Sequence, residues 1–169
     1  MATTHDLLVD AFDRIRDSTT RVLDGLTDEE LTFRATSDAN SIAWLVWHLT
    51  RVQDDHIADV AGTEQVWTTG GWFEEFGLPF DAESTGYGMS AEEVGAVRGV
   101  SAERLAAYHV AVHDRTVAYL GGLTDTDLDR VVDEAWDPPV TLAVRLVSVV
   151  SDDLQHAGQA GFVRGLLPR

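Results

Sequence analysis

The residues most able to do chemistry together are Asp152, His156 and Gln159, which recur at i, i+4 and i+7 inside a long apolar run that starts near Val140. Residues one helical turn apart share a face, so these three form one polar stripe. Continued backwards the stripe meets Val149 and Leu146, and forwards it meets Val163, so it is expected on the face a helix buries. A carboxylate and an imidazole there need a partner. A divalent metal held by both is one answer, and a buried His–Asp hydrogen bond without metal is the other. A second apolar segment carries Trp44 and His48 one turn apart, with Asp55 two turns beyond His48. His48, Asp152 and His156 would give a metal three protein ligands and leave open positions, the pattern of a catalytic centre. Gln159 is placed to orient a ligand or a metal-bound water, and Trp44 to wall a pocket.

His109 and His113 form another i, i+4 pair. No third ligand accompanies them, and Arg104, Asp114 and Arg115 mark a partly solvated face, so a surface or boundary pair is expected. His5 and His56 read as surface residues, His56 following Asp54 and Asp55 on the polar side.

Four long helices are needed to position these groups. Leu7, Leu8, Ala11, Phe12, Ile15, Thr19, Val22 and Leu23 recur at helical spacing and predict a first helix over Thr4 to Asp24, ended by Gly25. A second is expected from about Ser41 to Val60, a third over Ala102 to Leu120, and a fourth from about Val140 to Leu166 behind Pro138 and Pro139. Gly25-Leu26-Thr27-Asp28-Glu29-Glu30-Leu31 is echoed by Gly122-Leu123-Thr124-Asp125-Thr126-Asp127-Leu128, each a turn of capping-box form between long helices. The echo favours two helical hairpins packed as an all-α four-helix bundle. Between the second and third helices, Ala61 to Met89 loses periodicity and is rich in Gly and aromatics: Trp67, Trp72, Phe73, Phe76, Phe80 and Tyr87. It is expected either to be stapled to the bundle by those rings or to wall a ligand pocket. The acidic run Asp125 to Asp137 reads as solvated.

Length and composition bound the function. The 169 residues suit one domain, 1–169. A net charge of −17 opposes nucleic-acid and anionic-membrane partners. No stretch has the length of a membrane span, and no signal peptide is apparent, so a cytoplasmic location is expected. All twelve basic residues are arginine, and there is no cysteine. Disulfides, thiolate ligands and a cysteine nucleophile are excluded, and thiol chemistry would need an external thiol.

Asn40-Ser41-Ile42-Ala43-Trp44-Leu45-Val46-Trp47-His48-Leu49, together with Asp152-x-x-x-His156-Ala157-Gly158-Gln159, resembles the DinB-like superfamily, in particular the branch related to mycothiol-dependent maleylpyruvate isomerase. The resemblance implies a four-helix bundle with a divalent metal, commonly zinc or nickel, whose ligands map onto His48, Asp152 and His156. Many members have histidine where this chain has Asp152, and the isomerase branch has glutamate. The full-length isomerase carries an additional C-terminal domain, and no counterpart of it is expected here. The resemblance further implies a transferase or isomerase joining a low-molecular-weight thiol, such as mycothiol, to a small electrophile. A non-enzymatic metal- or small-molecule-binding bundle, or a structural one, is the alternative. Apolar residues to spare on long helices make a homodimer an expectation too.

Overall fold

The computed structural model describes residues 2–168. Its long helices are α1 (Thr4–Leu23), α3 (Ile42–Ala61), α7 (Ala102–Gly121) and α8 (Leu142–Gly165). Short helices intervene: α2 (Asp28–Leu31), α4 (Val66–Thr69), α5 (Trp72–Phe76) and α6 (Ala91–Ala96). Each long helix starts on a hydroxyl that accepts from an N–H of the first turn, supplied by Thr3, Ser41, Ser101 and Thr141. Both echoed turns form their capping boxes, Thr27 with Glu30 and Thr124 with Asp127. The first winds into α2 and the second into a 3-10 turn, Asp125–Asp129.

The hairpin expectation needs correction. α1 and α3 each pack against both α7 and α8, so α1 stands diagonally across the bundle from α3, and α7 from α8. The two helices of each expected hairpin, α1 with α3 and α7 with α8, are therefore not the packed neighbours. The fourth helix also begins later than expected. Val140–Thr141 (β2) pairs antiparallel with Val131–Asp133 (β1), and Thr141 then caps α8. The acidic run is thus partly structured, and Asp133 within it holds Arg145 of α8 at 2.9 Å.

Two apolar clusters make the core. Val22, Leu45, Trp47, Trp67, Leu105 and Tyr108 belong to one, and Phe12, Ile15, Ile57, Leu120, Leu146 and Val149 to the other. Between them along the long helices lies a layer of buried polar side chains: Thr19, Thr50, Gln53, His109, Thr116 and Asp153. Among the described residues no helix is long and apolar enough to cross a membrane.

The Gly/aromatic segment is mostly stapled down. Trp67 packs within 5.2 Å of Phe76 and 5.1 Å of Tyr108, and Trp47 lies 5.6 Å from Phe80. The staple is also ionic. Asp54 is buried and accepts from the N–H groups of Val66 and Trp67 at 2.9 and 2.7 Å, at the start of α4. It accepts again from the Tyr108 hydroxyl at 2.8 Å. Asp54 was expected on a polar face, and its burial follows from this docking of α4. Burial raises its carboxyl above the usual range, while these donors and Arg51 oppose that.

Candidate metal centre

α3 and α8 run antiparallel and bring His48 against Asp152 and His156. Ligand atoms of the three lie within 4.8 Å of one another, and among the described residues this is the group that could hold a metal ion. The rings of His48 and His156 are 4.8 Å apart at their centres and nearly perpendicular. Trp44 stacks on His48 at 4.5 Å and meets His156 edge-on at 6.1 Å.

The proton positions favour metal binding. His48 Nδ1 lies 2.5 Å from the Thr85 carbonyl oxygen, which can only accept. Neutral His48 therefore carries its proton on Nδ1 and has a free lone pair on Nε2. His156 Nδ1 faces Gln159 Oε1 at 2.9 Å, while its Nε2 lies 3.6 Å from Asp152 Oδ1. Asp152 Oδ2 is buried without a hydrogen-bond partner. The site thus gathers two imidazole lone pairs and a carboxylate and supplies no compensating donor, a set that fits a divalent ion. Ligands at about 2.0–2.2 Å from such an ion sit closer together than 4.8 Å, so small side-chain rotations would close the set. Burial pushes the His48 imidazole below its ordinary value, which keeps it in the ligating, neutral form at pH 7.

The other expected residues divide. Gln159 is exposed yet holds His156, as its spacing suggested. Asp55 lines a cavity of about 370 Å³ beside the site, together with His48, Thr85, Tyr87, Ser148 and Asp152. Its carboxylate is tied to Gln65 Nε2 at 2.7 Å. His56, expected on the surface, is half-buried and lines the same cavity; its Nδ1 accepts from Arg145 at 3.1 Å. His109 and His113 are both buried, against expectation, and serve separate partners: Thr50 at 3.1 Å and Asp13 at 2.8 Å. They are structural.

The expected burial of the Asp152–His156–Gln159 face also needs correction. Asp152 and His156 are half-buried at the rim, and the carboxylate inside the core is that of Asp153, which is 0 % exposed. Burial, and then the neighbouring Asp152 charge, push its carboxyl well above the usual range. The Gly/aromatic segment divides between the two expectations: Thr85 and Tyr87 line the cavity, whereas Trp67 and Phe76 are buried in the core. Sequence reasoning missed Arg51, Thr85 and Gly86. The legible signal was Arg51, the one arginine of α3, three residues after His48.

A helical bundle whose second and last long helices present an open His–Asp–His site defines a class of metal-binding helical proteins. The sequence pattern of the DinB superfamily matches residues 11–160, and the chain belongs to that superfamily. It is also similar to a conserved protein of Enterococcus faecalis known from its crystal structure, with a TM-score of 0.91 and 30% identity over 98% of both chains. No curated protein matches the chain.

Proposed function

We propose that the protein binds one divalent ion, zinc or nickel, through His48, Asp152 and His156 and uses it to join a low-molecular-weight thiol to a small electrophile, as an S-transferase or isomerase. The observation that carries this is the convergence of three acceptor groups within 4.8 Å at the edge of a 370 Å³ cavity. Two nitrogens and a carboxylate suit borderline ions of this kind. A divalent ion so held would lower the pKa of a thiol brought to it. The chain's own residues divide the remaining work. Thr85 and Gln159 fix the two rings, Trp44 shields one side, and Val52 and Val149 give the cavity an apolar middle. Asp55, His56 and Ser148 supply polar contacts to a bound molecule. A chain without cysteine takes its thiol from solution, and mycothiol is the candidate cosubstrate.

Elemental analysis of tag-free wild type and His156→Ala tests the site. About one ion per wild-type chain and none in the variant is expected. No ion in either after incubation with zinc and nickel would overturn the metal reading. Loaded wild type is then offered mycothiol-type thiols with electrophiles, and both loss of free thiol, for a transferase, and thiol-dependent isomerisation of the electrophile, in which the thiol is released again, are followed. An ion that stays bound with neither thiol consumption nor isomerisation would make the protein a metal-binding bundle instead of an enzyme.

A further inference from the structure

Arg51 is fully buried, one turn beyond His48 on α3. Its guanidinium grips a strap formed by residues 82–86. Nε donates to the Ser84 carbonyl at 3.1 Å and Nη2 to the Ala82 carbonyl at 2.9 Å. Nη1 donates to Gln65 Oε1 at 2.7 Å, Asp54 lies 3.7 Å away, and the Trp67 ring stands 5.0 Å beneath the charge. The next strap residue is Thr85, whose carbonyl accepts from His48 Nδ1. Gly86 follows at φ +96°, where a Cβ would come within 2.7 Å of His48 Nδ1 and 3.0 Å of Trp47 Cζ3. The strap therefore lies tight against the imidazole, and Arg51 holds it at Ala82 and Ser84, three residues and one residue before Thr85.

We propose that Arg51 is a positioning residue for His48: it fixes the strap so that the Thr85 carbonyl holds the ring as the Nδ1–H tautomer, with Nε2 turned to Asp152 and His156. A planar fork with five N–H donors can span Ala82, Ser84 and Gln65 at once, whereas a lysine ammonium cannot. The consequence for metal affinity rests on the metal reading above; the tautomer does not.

Long-range 1H–15N correlation spectra of the metal-free full chain, labelled at histidine and assigned with His48→Gln, read the tautomer directly. Wild type is expected to show His48 as Nδ1–H. Arg51→Lys is expected to show a mixture, with zinc affinity about tenfold or more weaker and wild-type circular dichroism. Gly86→Ala, which displaces the strap while leaving Arg51 in place, is expected to disturb the tautomer likewise. A folded Arg51→Lys with an unchanged tautomer and unchanged zinc affinity overturns the proposal. Should Arg51→Lys not fold, Gly86→Ala decides, and an unchanged tautomer there overturns it. Tautomer changes in a protein that never binds zinc would uphold the strap's control of His48 and remove the metal reading alone.

Discussion

Acidification should destabilise this protein partly through His109. Thr50 donates its hydroxyl proton to the Val46 carbonyl at 2.7 Å, so its oxygen accepts from His109 Nδ1 at 3.1 Å. His109 Nε2 is buried with no hydrogen-bond partner. Burial, followed by repulsion from His113 and Arg16, moves the imidazole from 6.5 to about 3. The folded value is depressed, so from pH 6.5 down to about 3 the unfolded chain binds a proton that the folded chain refuses. Stability then rises with pH across that window and is lost as pH falls below 6.5. One proton is worth about 1.4 kcal/mol per pH unit, so about 3 kcal/mol present at pH 7.5 is gone at pH 4.5. That is a large share of an ordinary domain's ~5–15 kcal/mol.

His109→Asn isolates the effect, because the asparagine amide can take the place of Nδ1 on Thr50 and does not titrate. Urea unfolding of wild type and variant would be followed by far-UV circular dichroism in EDTA at pH 7.5 and 4.5. Carboxylates, His48 and His56 titrate in both proteins and cancel in the difference. The variant is expected to be less stable at pH 7.5 by about 1–2 kcal/mol for the lost ring volume. The order should reverse at pH 4.5, the difference having moved by about 3 kcal/mol. A difference that stays constant within about 0.5 kcal/mol would refute the reasoning, since His109 would then be protonated equally in both states.

Two further outcomes are expected. Asp54→Ala removes the acceptor shared by Val66, Trp67 and Tyr108 and leaves buried Arg51 without its ion partner. It should cost about 3–5 kcal/mol in urea unfolding, and a loss under about 1 kcal/mol would show that the pair is not what docks α4. Cobalt loading should quench part of the tryptophan emission, and most of that quench should vanish in Trp44→Phe, because Trp44 stacks 4.5 Å from His48. Equal quenching in both proteins would place the bound ion elsewhere.

The four long helices were legible from apolar residues at helical spacing, while the start of the last is set by the Thr141 cap and not by Pro138 and Pro139. Their neighbours were not. The echoed Gly-Leu-Thr turns reproduce the same capping boxes, but a cap governs one helix end and says nothing about which helix lies alongside. His48 and His156 could be read from type and spacing. Arg51 could not be given its role, because its partners are backbone carbonyls of a segment without periodicity, whose course no local pattern fixes.

The two aspartates of α8 show where helical periodicity stops deciding. From Val149 the next core position falls about 3.6 residues on, between Asp152 and Asp153. Sequence spacing admits either carboxylate as the inward one. Packing of α8 against both α1 and α3 turns Asp153 into the polar layer and swings Asp152 to the rim, beside His48. The same small rotation thus serves the site twice. It brings one carboxylate to the cavity, where a cation can neutralise it, and encloses the other, where burial favours its protonated form.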